Sequence, residues 1–341
     1  MLSTNHPLRI AAAAILIGLG GPVAADHPSL SVLGGPAGAV TTITAVPLAR
    51  GDWSLGLRAE YLDVDPFSDA TLLDLGARDE DVHSIDSLSR LSLGAAYGVN
   101  NNLTLGITLP YVSRKNIREA HHGTGGGPIE VESLGDSEGL GDGSLYGLYR
   151  WHERGDGRQH SALVFGVKMP TGKSDVQSPE GELLELELQP GSDSWDPFAG
   201  LAFTWLQNRS SVDASFVYRL STEGAQNTTL GDVFAYNAAY SFRVSPAPDH
   251  GHAHGGDQPH SHTAFDLMLE LNGEWRDRDE VAGTSKSNTG GNLIFLSPGL
   301  RYKFAGDWVA SLSVGVPVVK DLNGFQTEPE YRIIGGISVG L

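Results

Sequence analysis

Cysteine is absent from all 341 residues. That excludes disulfides, thiolate nucleophiles, thiolate zinc sites and Cys-ligated clusters. Basic residues are scarce, with 23 Lys and Arg against 41 Asp and Glu and a formal net charge of -18. That balance argues against a nucleic-acid partner, because phosphate binding draws on Lys and Arg. Beyond the N-terminus there is no run of the roughly 20 apolar residues that a spanning helix needs. No glycine-rich phosphate loop joins a strand to a helix, so a nucleotide site is not indicated. Glycine itself is plentiful, at 44 residues, and disfavours a helix-rich domain.

The N-terminus reads as an export signal. Arg9 precedes an apolar stretch from Ile10 to Leu19, and Gly20, Gly21 and Pro22 break it. Val23, Ala24 and Ala25 supply the small residues of a cleavage site, so cleavage is expected after Ala25. About ten apolar residues cannot cross a hydrocarbon core of roughly 30 Å as a helix. The expected organisation is a signal peptide over 1–25, a periplasmic or lumenal segment over 26–52 with an extra short pairing at Thr41–Val46, and a barrel over 53–341.

Period-two alternation dominates the remainder, the pattern of strands with two unlike faces. In Trp53-Ser54-Leu55-Gly56-Leu57-Arg58-Ala59-Glu60-Tyr61 every odd position is apolar and every even one is polar or Gly. Leu103 to Leu109, Val212 to Leu220, Phe234 to Phe242, Trp308 to Val316 and Tyr331 to Leu341 repeat it. About twelve such segments are expected, each near the ten residues of a tilted spanning strand. They lie around 53–62, 87–98, 103–112, 142–152, 161–169, 195–206, 210–221, 231–244, 263–276, 292–304, 308–318 and 331–341. Aromatics near their ends, such as Trp53, Tyr97, Tyr111, Trp151, Trp205, Trp275 and Trp308, suit two interfacial girdles.

A soluble sandwich and a membrane barrel both alternate; the connections separate them. Long and short connections take turns, and Val99-Asn100-Asn101-Asn102, Gln207-Asn208 and Ala305-Gly306-Asp307 are tight polar turns. Short periplasmic turns, long extracellular loops and an even strand count are the pattern of a bacterial barrel. The expected fold is therefore all-β, a transmembrane antiparallel β-barrel of about twelve strands in the outer membrane of a Gram-negative bacterium.

Several motifs, taken in order, resemble a known family. They are Asn102-Leu103-Thr104-Leu105-Gly106 through Leu109-Pro110-Tyr111, Gly139-Leu140-Gly141-Asp142, Lys168-Met169-Pro170-Thr171-Gly172 and Gly191-Ser192-Asp193-Ser194-Trp195-Asp196-Pro197. Leu296-Ser297-Pro298-Gly299-Leu300 and Val316-Pro317 with Asp321-Leu322-Asn323-Gly324 complete the set. The chain resembles the outer-membrane barrel transporters named for the meta-pathway of phenol degradation. The resemblance implies a barrel and small-molecule passage, with aromatic compounds suggested by the family's name. It brings no catalytic residues.

With the apolar phase facing lipid, the other phase lines the lumen. Candidate lining residues are Arg58, Glu60, Arg150, Lys168, Arg219, Glu270, Glu274, Arg301, Lys303 and Arg332, joined by Asp213, Arg243, Asp266 and Arg276. Charges of both signs there either brace the wall or select a small polar or charged solute. Acidity gathers in loops, at Asp74 to Asp86 and at Glu180, Glu182, Glu185 and Glu187, where Leu183 to Leu188 suggest a short strand. The segment 249–262 carries His250, His252, His254, His260 and His262, neutral imidazoles suited to Zn, Cu or Ni. It breaks the short-turn rule and is read as a periplasmic insertion, either a polar linker or a metal-binding tract.

Catalysis is not expected. His83-Ser84 and His160-Ser161 are sequence neighbours, and adjacent strand residues point to opposite faces. The leading expectation is a passive channel without a cofactor. Its partners would be outer-membrane lipid, a small-molecule solute and the barrel-assembly machinery. The alternative is a barrel that anchors the His-rich segment for handling a divalent metal.

Overall fold

The computed structural model describes residues 39–122, 127–245, 263–304 and 307–341. Twelve antiparallel strands form one barrel wall: β1 (Trp53–Asp65), β2 (Ser87–Asn100), β3 (Leu103–His122), β4 (Ser144–Arg154), β5 (Gln159–Lys168) and β6 (Asp196–Leu206). β7 (Ser210–Arg219), β8 (Val233–Arg243), β9 (Ala264–Arg276), β10 (Gly291–Lys303), β11 (Trp308–Leu322) and β12 (Glu328–Gly340) follow. Each pairs with its sequence neighbours, and β12 returns to β1 with Ser54 opposite Gly340 and Asp65 opposite Glu328. Trp53 and Leu341 exchange two backbone hydrogen bonds of 2.9 Å at the seam. All twelve expected segments are wall strands, with their ends displaced by a few residues except at β3.

The alternation seen in the sequence sorts the two faces. Along β1, Ser54, Gly56 and Arg58 are buried inward while Trp53, Leu55 and Leu57 are exposed outward. Leu93, Leu105, Leu269 and Val314 are exposed on the same outer surface. In water such a surface would drive association; in a bilayer it is the solvated face. Trp53, Tyr97, Trp151, Trp205 and Trp308 mark the end with short turns, and the Trp53 and Tyr97 rings lie 4.7 Å apart. Tyr61, Tyr331, Tyr111 and Trp275 mark the other end. The turn from β4 to β5 places Gly155, Asp156 and Gly157 at positive φ, a run of left-handed residues that favours glycine.

Four features depart from expectation. β3 runs ten residues past its predicted end, to His122. Its upper half pairs with an unpredicted strand, Ile129–Leu140, while only Leu103 to Thr108 pair with β4. A helix, Asp69–Gly76, occupies the first long loop; Ser68 caps it through the Thr71 N–H, and Leu72 and Leu75 bury its inner side. The leucine-rich loop forms a 3-10 turn, Leu186–Leu188, instead of a strand. Leu184, Leu186 and Leu188 are buried and Leu183 is exposed, the alternation of an extended chain, but the backbone turns on itself where the Leu188 N–H donates to the Glu185 carbonyl and the Gln189 N–H to the Leu186 carbonyl. Finally, Thr41–Val46 makes a single bridge, at Ile43, and no extra strand, because side chains of the wall take up most of its backbone N–H groups as described below. The export signal at 1–25 and the His-rich segment at 249–262 lie outside the described residues.

Candidate functional site in the barrel lumen

Residues 39–50 run inside the barrel, not along its wall. Glu270, only 1% exposed, receives three successive backbone N–H groups, from Val40 (2.8 Å), Thr41 (3.1 and 3.2 Å) and Thr42 (2.9 Å). The Thr42 hydroxyl adds a fourth bond at 2.8 Å. Converging N–H groups of this kind form an anion nest, and here the anion is a wall side chain. Arg58 returns the grip by donating to the Val40 carbonyl at 2.7 Å. Below, the Ile43 N–H donates to Ser215, Ala45 to Thr204 (2.8 Å) and Leu48 to Thr104 (2.8 Å).

The same segment explains an apolar stretch of lumen. Ile43, Ala45 and Leu48 pack against Ala96, Tyr146, Leu148, Ala162, Val164, Phe198 and Ala202. Strands β4 to β6 are therefore apolar on both faces, one toward lipid and one toward the inserted chain. Gly106 makes room for this core, since a Cβ there would lie 2.1 Å from the Tyr146 hydroxyl. The periplasmic half of the lumen is consequently filled by the protein's own chain.

Opposite, β8 to β12 carry an ionic lattice. Asp266 binds Arg243 at 2.9 Å and Arg301 at 2.9 Å. Glu60 lies between Arg58 (3.7 Å) and Arg332 (3.8 Å). Arg332 also donates to Asn272 at 3.0 Å and covers the Phe295 ring at 4.4 Å. Glu274 approaches Arg276 at 3.4 Å. Lys303 pairs with Asp307 at 3.1 Å near the periplasmic turn. Arg150 staples that rim, bonding Glu153 (2.8 Å), the Asn101 carbonyl (3.0 Å) and Asn102 (2.9 Å).

Three motifs far apart in sequence converge on Lys168. Its ammonium reaches Asp142 at 2.8 Å, Asp196 at 2.7 Å and the Ser194 hydroxyl at 3.1 Å. Asp142 also accepts from the Gly172 N–H (3.0 Å) and the Ser192 N–H (2.9 Å). Gly172 and Gly191 meet backbone to backbone, and a Cβ on Gly172 would stand 2.6 Å from the Gly191 Cα. This knot ties both ends of the 169–195 loop to the wall.

The loop then folds over the outer mouth. Val176, Leu184 and Leu188 form an apolar core with Ile117 and Leu134 of the β3 hairpin. His83 locks the cap: Nε2 lies 3.0 Å from Glu119 on β3 and Nδ1 lies 3.0 Å from Glu187 on the loop. Burial alone would lower the imidazole's pKa, but hydrogen bonds to both carboxylates outweigh it and raise the pKa to about 10. His83 is therefore an imidazolium at neutral pH. Beneath the cap lies a cavity of about 340 Å³, lined by Leu62, Leu88, Arg114, Glu187, Arg276, Leu293 and Phe325 among others.

The sequence-derived lining residues thus divide among four places, with Arg219 apart from them. Glu270 and Arg58 hold the inserted segment; Glu60, Glu274, Arg301 and Arg332 belong to the charged wall, Lys168 to the loop knot, and Arg150 and Lys303 to the rim. Arg219 faces the lumen without an ion pair among the described residues. His160 is buried, with Nε2 2.8 Å from the Gly157 carbonyl. Sequence reading missed Arg90, Arg114 and the His83–Glu187 clasp. Arg90 shares the inward phase opposite Leu91, Leu93 and Tyr97, a signal the strand itself carries. Arg114 lay beyond the expected end of β3. No sequence signal pairs His83 with Glu187, which are 104 residues apart.

A family model described as "Putative MetA-pathway of phenol degradation" matches residues 79–319. Among solved structures, the chain is similar to the COG4313 outer membrane channel from Pseudomonas putida F1. The two share 13% identity with a TM-score of 0.57, over 87% of this chain and 98% of that one. The CymD monoaromatic hydrocarbon channel aligns at 12% identity and a TM-score of 0.44, covering 86% of this chain and 88% of the other. The likeness to the COG4313 channel shows the outer-membrane barrel fold. No curated protein sequence matches the chain.

Proposed function

Because the chain belongs to the phenol-degradation family of outer-membrane barrels, we propose that it is a gated channel for passive passage of small molecules, aromatic compounds among them. The carrying observation is the manner in which the lumen is closed. Residues 39–50 fill the periplasmic half but are tied by wall side chains, above all by Glu270, and not by a sheet ladder. Such a segment can leave without breaking any bond of the barrel wall. The outer half retains a cavity large enough for a small ligand. Passage needs neither a cofactor nor covalent chemistry. Export would begin with cleavage after Ala25, and insertion would follow through the barrel-assembly machinery.

Planar-bilayer recording tests the reading. The full mature chain should conduct little or only in brief openings, and deletion of residues 39–50 should give a steady ohmic conductance. Uptake of phenol or benzoate by proteoliposomes should rise with the same deletion. A deletion variant that folds, by heat-modifiable gel migration, yet stays electrically silent would remove the channel reading.

A further inference from the structure

The outer lumen holds arginines that the ionic lattice does not use. Among the described residues, Arg90 on β2 and Arg219 on β7 have no ion pair and no hydrogen-bond partner, and the Nε of Arg219 is buried without an acceptor. Arg114 on β3 donates only to two cap carbonyls, Leu188 (3.3 Å) and Gln189 (3.1 Å). Arg276 is the fourth member and the one that the lattice does engage, with Glu274 at 3.4 Å. The register fixes their proximity. Arg219 and Arg276 both stand opposite Val233 of β8, one on each side. Arg90 and Arg114 are inward neighbours on adjacent strands, opposite Val112 and Leu88. Arg90 and Arg276 each act electrostatically on both Arg114 and Arg219.

Elsewhere in this lumen cations are neutralised: Arg243 and Arg301 by Asp266, Lys168 by two aspartates. Of the carboxylates that face the arginine belt, Glu274 pairs with Arg276 inside it and the others are committed elsewhere. Glu187 is clasped by His83, Asp196 by Lys168, and Glu60 is shared by Arg58 and Arg332. Asp279 accepts the Gly231 N–H, and Glu185 lies exposed on the His83 side. Four guanidiniums in mutual repulsion call for an added anion, and guanidinium suits carboxylate through paired hydrogen bonds. The cavity beside them supplies the complement, lined by the apolar Leu62, Leu88, Leu293 and Phe325 and by Arg114 and Arg276, together with the carboxylates already named and Asp81, which Lys286 pairs.

We infer that the outer lumen is a binding site for a small amphipathic anion, an aromatic ring bearing one carboxylate. The ring lies on the apolar wall and the carboxylate enters the arginine belt. The site's role in selectivity rests on the channel reading; its ligand binding does not.

Calorimetric titration of the folded full chain in detergent with benzoate, and with benzyl alcohol as the neutral counterpart, tests the assignment. Benzoate is expected to bind at one site at least tenfold more tightly than benzyl alcohol. The Arg114→Gln/Arg219→Gln variant, verified as folded by heat-modifiable migration, should lose tenfold or more in benzoate affinity alone. The Arg114→Lys/Arg219→Lys variant should keep most of it, because the charge remains. In bilayers, the chain lacking residues 39–50 should be anion-selective, and adding the double Gln substitution should move its reversal potential toward cations. Equal binding of the two ligands, or benzoate binding unchanged in the Gln variant, would overturn the site. Benzoate binding by a protein that never conducts would uphold the site and remove the channel instead.

Discussion

His83 carries a consequence that can be measured in solution. Its folded pKa of about 10 lies above the ordinary value of 6.5. The stabilisation it provides is therefore fully present below about pH 6.5 and is lost as pH rises through about 10. Amide exchange of the 177–190 loop, after correction for intrinsic rates, should be slowest below about pH 6.5 and accelerate progressively up to about pH 10. Protection that stays constant from pH 6 to pH 10 would show that the imidazolium does not hold the cap. Lys168 is the second such residue. The side chains of Asp142 and Asp196 are only 6% and 2% exposed, so Lys168→Met would leave two buried carboxylates facing each other. A destabilisation of about 3–5 kcal/mol is expected for breaking such a buried cluster. Urea-unfolding midpoints of wild type and variant measure it, and an unchanged midpoint would show the knot to be dispensable.

The inserted segment, residues 39–50, behaves as an element without secondary structure of its own. Its stability comes from bonds to Glu270, Ser215, Thr204 and Thr104 and from the apolar core at Tyr146 and Phe198. Glu270→Ala removes the acceptor of three backbone N–H groups, at about 1.5–3 kcal/mol for each bond to a charged group. The variant should open the lumen while leaving the wall intact. Single-channel open probability should increase severalfold, with heat-modifiable migration unchanged. An open probability equal to wild type would place the gate elsewhere. The element was only partly legible beforehand. Thr41 to Val46 suggested a short pairing, yet its partners are wall side chains 159 to 229 residues distant. The apolar inner phase of β4 to β6, at Tyr146, Leu148, Val164 and Phe198, was the sequence trace of something packing there.

Across the molecule, charge is sorted by place. Carboxylates crowd the outer loops, and the lumen gathers guanidiniums, which overall composition conceals. A chain of formal charge -18 thus encloses an arginine-rich passage. The outward surface, with Leu93 at 58% and Leu269 at 49% exposure, requires lipid or detergent. The mature protein should sediment with outer membranes and migrate faster unheated than boiled on gels; recovery from the soluble periplasm would contradict the fold in its assigned medium. The strand count, the outward face and the closure of the wall were determined by sequence alone, because lipid on one side and water on the other impose a period of two on every spanning strand. The extension of β3, the lumenal path of residues 39–50, the knot at Lys168 and the His83 clasp were decided by tertiary structure. Each joins residues that are far apart along the chain, and no local period records which of them the closed barrel brings together.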